Sequence, residues 1–158
     1  LACDVHEHRV ELVKAYAKRM GVTNVQTVKL DARKFYKNFE NRFDYVLCDV
    51  PCSGLGVVSS KPDILLNKKP EDILELTEIQ KDILSNAAKY LKDGGALVYS
   101  TCTVIKEENI RQVENFLREN PNFSLDKIGL TPNNDGTLQI LPSDKLDGFF
   151  IARMVKHA

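Results

Sequence analysis

The stretch Tyr45-Val46-Leu47-Cys48-Asp49-Val50-Pro51-Cys52-Ser53-Gly54-Leu55-Gly56 passes from a short apolar segment through a carboxylate into a loop of proline, serine and glycine. A strand that stops on an acid and opens into such a loop is how an open parallel sheet presents its ligand-binding edge. The same punctuation occurs twice upstream: residues 1–5 read as a strand carrying Asp4, and residues 25–30 as a strand followed by Asp31. Between them, residues 7–20 place Val10, Val13, Ala17 and Met20 at helical spacing and stop at Gly21. Downstream, residues 50–69 show little period and are expected to be a functional loop. Pro70 then suits a first helical turn, and the helix it opens presents Leu76, Ile79, Ile83, Ala87, Tyr90 and Leu91 before Gly94-Gly95. Residues 96–100 form a buried strand, and residues 107–119 a helix with Ile110, Val113 and Leu117 inward. Residues 137–141 and 149–155 form an antiparallel pair. This alternation predicts an α/β fold, a mostly parallel sheet covered by helices with a C-terminal antiparallel hairpin. With no repeat or linker, residues 1–158 read as one structural unit.

A chain of 158 residues with 43% hydrophobic and 28% charged side chains can build a folded core. Its 22 basic residues balance 22 acidic ones, and the balance holds in each half, so no basic segment announces nucleic acid. The longest apolar runs fall far short of the roughly 20 residues a membrane helix requires. The chain starts on Leu1, without an apolar leader, and reads as a piece of a longer protein. Cys3, Cys48, Cys52 and Cys102 lie in settings too apolar for a secreted disulfide frame, which points to a reducing compartment. Neither the Cys48/Cys52 spacing nor the His6/His8 pair suits zinc, so no metal is expected.

Asp4, Asp31 and Asp49 end successive strands, which sets three acids on the rim where parallel sheets bind ligands. A carboxylate there can accept both hydrogens of a ribose diol, and another can take an adenine amino proton. Each acid alone is also what a helix start selects; the series of three favours the ligand. Cys52, in the loop after the third strand, and Cys102, at the end of the 96–100 strand, lie outside any core-facing alternation. A thiolate at a strand end facing a helix amino terminus is a strong nucleophile, and a small buried hydrophobe is the other reading of such a cysteine. The second reading is the one adopted for Cys48 and Cys3.

The segments Asp49-Val50-Pro51-Cys52-Ser53-Gly54-Leu55-Gly56, Tyr99-Ser100-Thr101-Cys102-Thr103 with Glu107-Glu108-Asn109, and Gln139-Ile140-Leu141-Pro142 with Asp147-Gly148-Phe149-Phe150 resemble the RNA cytosine-5 methyltransferases of the Sun (Fmu/RsmB) family. The similarity runs from Leu1 to about Lys156, and within the family the bacterial small-subunit ribosomal RNA enzymes show the most similar pattern. The resemblance implies a Rossmann-like fold dependent on S-adenosylmethionine, with sheet order 3-2-1-4-5-7-6. It implies Cys102 as the nucleophile that adds to carbon 6 of cytosine and Cys52 as the thiol that assists release. It assigns Asp4 to the ribose of the cofactor, Asp31 to the adenine, and Asp49 to the reacting centre or the cytosine edge. RNA, most closely ribosomal RNA, is the implied partner, and the cytoplasm the implied location. The first strand of that order and the glycine-rich loop after it are not in these residues. The chain is therefore expected to be the C-terminal part of a methyltransferase catalytic domain and to bind cofactor weakly by itself.

Residues 57–63 carry fewer basic residues than relatives of the ribosomal enzyme show, with Lys61 keeping one charge for a phosphate. Further phosphate contacts would have to come from Lys68, Lys69 and the basic residues at 33–37. Two other enzymes share parts of this pattern. An amino-group methyltransferase would place an aromatic residue where Cys52 stands, and a nicotinamide-dependent dehydrogenase is suggested by fold alone. A non-catalytic RNA-binding module is the third alternative, against which the retained cysteines and acids count.

Overall fold

A computed structural model describes residues 1–67, 69–129 and 135–158. The chain divides into two compact units, Leu1–Phe35 and Tyr36–Ala158, where the sequence suggested one. The division follows from strand pairing. In the first unit β1 (Ala2–Asp4) pairs in parallel with β2 (Thr27–Lys29), and α1 (Glu7–Arg19) crosses between them. Val10 of α1 is buried at 3% exposure, whereas Met20, expected on the same stripe, lies past the helix end at 73%. Cys3, expected to be buried, is exposed, because it sits mid-strand in a sheet of only two strands.

The second unit is a five-stranded sheet in which β3 (Phe43–Asp49), β4 (Leu91–Thr101), β7 (Phe149–Lys156) and β5 (Phe123–Leu125) follow one another, with β6 (Thr137–Ile140) also paired to β7. β3 and β4 are parallel, while β7 runs antiparallel to β4, β5 and β6. The predicted hairpin is present, with Ile140 opposite Phe149 and Thr137 opposite Ala152. No described helix is long and apolar enough to cross a membrane.

After α2 (Ile64–Asn67), a single helical turn in the loop that follows β3, two helices cover one face of the larger sheet. α3 (Pro70–Tyr90) opens on proline, and the Asp72 carboxylate accepts the Lys69 N–H at 2.9 Å, closing the first turn. α4 (Ile110–Glu119) follows Asn109. Leu84, Ala87 and Ala88 of α3 and Val113 and Phe116 of α4 pack on Cys48, Leu97, Tyr99, Phe150, Ala152 and Met154. α3 stops earlier than its apolar stripe suggested. Leu91 belongs to β4, and Gly94, at φ +78°, sits in the irregularity where the β3–β4 register shifts, so the glycine pair kinks a strand instead of capping a helix. On the other face Tyr45 and Leu47 are 78% and 69% exposed. That open face also carries Asp49 and its register partner Ser100.

Candidate active site

The parallel pair β3–β4 brings two loops together at its carboxyl end. Residues after Asp49 continue into the Pro51-Cys52-Ser53-Gly54 loop, and residues after Thr101 into Cys102-Thr103. The sulfurs of Cys52 and Cys102 lie 3.2 Å apart. Both cysteines are free thiols, and that separation is well beyond the roughly 2.05 Å of a disulfide.

The two sulfurs differ in their protons. The two sulfurs share a hydrogen bond that either thiol could donate, and this contact is the main reason the Cys102 thiol is pulled down to about 7. Its own backbone N–H and the positive charge of Lys61 lower it further, against partial burial and the charge of Asp49. The same contact and burial push Cys52 far upward, so it keeps its proton. A lowered Cys102 thiol beside a raised Cys52 thiol is an arrangement that can present a thiolate next to a proton-bearing partner. The sequence reading credited a helix amino terminus with this activation; the Cys52 thiol is the larger cause. Cys48, by contrast, is buried, and burial drives its thiol up to about 12, the inert behaviour expected of it.

The loops are locked by backbone contact. The Gly56 N–H donates to the Cys102 carbonyl at 3.0 Å, and the Gly148 N–H to the Gly56 carbonyl at 2.7 Å. A β-carbon on Gly56 would stand 2.4 Å from the Gly148 oxygen and 2.8 Å from the Cys102 oxygen, so only glycine fits. The Ser60 hydroxyl adds a bond to the Asp147 carboxylate at 3.0 Å. The turn carrying Asp147-Gly148 therefore closes directly on the cysteine loops.

Of the three acids, Asp49 lies in this unit, exposed, with its Oδ1 accepting from the Ser100 hydroxyl at 3.0 Å. Asp4 and Asp31 lie in the other unit, both at the carboxyl end of its parallel sheet. Asp4 Oδ1 accepts the His6 N–H at 2.8 Å, and Arg9 stands 3.8 Å from Oδ2. Asp31 holds the Arg33 guanidinium on both oxygens, at 3.0 and 2.9 Å, and this pairing keeps its carboxyl below the ordinary range. Arg33 and Lys37, read as phosphate contacts, are engaged by Asp31 and Glu40. Lys61 and Lys69 are exposed, and Lys68 lies outside the described residues.

Sequence reasoning missed a buried polar layer beneath the cysteines. Glu108, at 0% exposure, accepts from the Ser53 N–H at 2.8 Å, the Ser53 hydroxyl at 2.5 Å and the Gln80 amide at 3.0 Å. Residues 107–109 were expected to lie on a helix, but α4 begins at Ile110, and the turn before it aims Glu108 inward. A signal was available in Gln80, a polar residue between the apolar positions Leu76 and Ile83 of α3.

The family model described as "16S rRNA methyltransferase RsmB/F" matches residues 1–155. This chain belongs to the RsmB/F family. Among curated relatives of this RsmB/F chain, the probable ribosomal RNA small subunit methyltransferase B of Bacillus subtilis is 44% identical over 97% of the chain, and ribosomal RNA small subunit methyltransferase B of Salmonella paratyphi A is 38% identical over 99%. The chain spans 36% of the length of each. Among solved structures, NSun6 from Pyrococcus horikoshii with SFG superposes with a TM-score of 0.84 at 30% identity, covering 99% of the chain and 41% of that structure. A methyltransferase homolog protein from the same organism superposes at 0.79 with 27% identity, covering 98% and 52%. The RsmB/F fold is therefore the Rossmann-like methyltransferase fold expected from the sequence, and the paired cysteines occupy its strand-end loops.

Proposed function

We propose that this chain is the C-terminal part of the catalytic domain of a methyltransferase that modifies carbon 5 of a cytosine in small-subunit ribosomal RNA, in the cytoplasm. The observation that carries the proposal is the 3.2 Å contact between a low-pKa Cys102 and a protonated Cys52. Carbon 5 of cytosine is a poor nucleophile. When the Cys102 thiolate adds to carbon 6, the electron pair of the 5,6 double bond moves to carbon 5 and makes it an enamine carbon able to attack a methyl group. A base then takes the carbon 5 proton, the double bond re-forms, and the bond from carbon 6 to Cys102 breaks with its electrons returning to sulfur. Cys52 holds its proton against that sulfur and stabilises it as it leaves.

S-adenosylmethionine, when bound, supplies the electrophilic methyl group. The acids fit such a ligand: each lies at the carboxyl end of a parallel strand, and none is sealed in the core. Asp4 is the acceptor for the ribose hydroxyls. Asp31 serves the adenine amino group through the lone pairs that Arg33 leaves it. Asp49, oriented by Ser100, belongs to the reacting centre. An amino-group methyltransferase would need no thiolate, so the activated thiol pair favours carbon 5.

The test is the product. Ribosomal RNA incubated with the full-length protein and methyl-labelled cofactor is digested to nucleosides and analysed by mass spectrometry. Label in 5-methylcytidine is the expected result; label in N4-methylcytidine would replace the proposal with amino-group methylation.

A further inference from the structure

Glu108 is a carboxylate at 0% exposure whose three side-chain hydrogen bonds among the described residues all come from neutral donors. Beside it, Gln80 is equally buried and leaves its Oε1 without a partner among the described residues. Burying such groups is expensive, and apolar residues of similar volume commonly hold a junction more cheaply. The return on this polar layer is better sought in what its bonds fix.

They fix the chain neighbours of both cysteines. Cys52 lies between Pro51 and Ser53. Gln80 Nε2 donates to the Pro51 carbonyl at 2.9 Å and to Glu108, and Glu108 takes both the N–H and the hydroxyl of Ser53. Cys102 lies between Thr101 and Thr103. The Thr101 hydroxyl donates to Asn109 Oδ1 at 2.5 Å, and Asn109 Nδ2 donates to the Thr103 carbonyl at 2.9 Å. A bond of 2.8 Å between the Ser53 and Thr103 hydroxyls joins the two halves. One dipeptide thus grips both flanks of one cysteine and, with Gln80, both flanks of the other. The Tyr99 hydroxyl, bonded to the Glu108 carbonyl at 2.6 Å, anchors that dipeptide to β4.

We infer that Glu108 and Asn109 are positioning residues that hold the Cys52 thiol in hydrogen-bond register with the Cys102 sulfur. The inference rests on the reading of Cys102 as nucleophile and Cys52 as its proton-bearing partner. Its test needs neither RNA nor cofactor. In the full-length protein, alkylation of Cys102 by iodoacetamide is followed against pH on the tryptic peptide of residues 93–106, whose single cysteine is Cys102. Only the thiolate reacts, so the wild-type rate climbs with pH through a midpoint near 7 and then levels. Glu108→Gln, which keeps the side-chain volume, and Asn109→Ala are both expected to raise the midpoint toward the ~8.5 of an ordinary cysteine, which slows alkylation at pH 7 by roughly tenfold. In a Cys52→Ala background, where the donor is already gone, Glu108→Gln is expected to add nothing.

A purely structural role predicts a lower Tm with the midpoint unmoved, and that result in either folded variant overturns the inference. Should Glu108→Gln not fold, Asn109→Ala makes the same test from the other cysteine. Because the midpoint is measured without substrate, it can move while the cytosine reaction fails, or stay while the reaction stands; the two readings fall separately.

Discussion

Full-length protein carrying Cys102→Ala is expected to lose methyl transfer by about a thousandfold or more, on the order of 4 kcal/mol of barrier. The loss should fall on kcat, because alanine removes no group that holds cofactor or RNA in the ground state and leaves carbon 5 without the addition that activates it. The fold should tolerate the change. Cys102 is only half-buried, its sulfur touches Cys52, and its backbone bond to Gly56 N–H does not involve the side chain. Initial rates of label transfer under single-turnover conditions check this directly. Activity retained within tenfold would mean that no thiolate at this position is needed and would favour the amino-group alternative.

Cys52→Ala is expected to act later in the reaction. Without the S–H at 3.2 Å, the departing Cys102 sulfur loses its hydrogen-bond donor, and elimination slows more than addition does. Multiple turnover should fall by about a hundredfold while a protein–RNA adduct accumulates, visible as a shifted band on a denaturing gel. The Cys102 alkylation midpoint should rise as well, since the Cys52 hydrogen bond is its chief cause of lowering. Each measurement has its own contrary outcome: full turnover with no adduct contradicts the release role, and an unmoved midpoint contradicts the activation role.

Much of this fold is legible in the sequence. Strands ending on Asp4 and Asp49 and the apolar face of α3 follow from local pattern, because period and punctuation are short-range properties. The loops holding Cys52 and Cys102 were legible for the same reason, as breaks in that pattern. What pattern could not express was which long-range contact wins. Leu91 and Gly94-Gly95 look like the end of a helix, but pairing with Phe43 draws Leu91 into β4. Residues 123–125 show no strand signal of their own, and β5 forms because β7 offers a free edge beside Met154 and Lys156. Cys3 looks like a core residue only if a larger sheet surrounds it.

The polar layer was least legible of all. A glutamate two residues before an amphipathic helix ordinarily belongs to solvent, and only the three donors that converge on Glu108 reverse that expectation. The same holds for the pairing of the cysteines. Fifty residues separate Cys52 from Cys102 in the chain, and their contact is a product of the parallel β3–β4 register, with Asp49 opposite Ser100. Within that register, the chemistry of each sulfur depends on the other.

Cys102 is expected to bond covalently to the cytosine whose methylation it assists. The most direct test mixes full-length protein and S-adenosylmethionine with RNA containing 5-fluorocytosine, whose fluorine cannot leave as a proton, and maps the trapped adduct by mass spectrometry. A covalent RNA adduct on the 93–106 peptide, at Cys102, is the predicted result. An adduct on Cys52, or methyl transfer with no adduct at all, would contradict it.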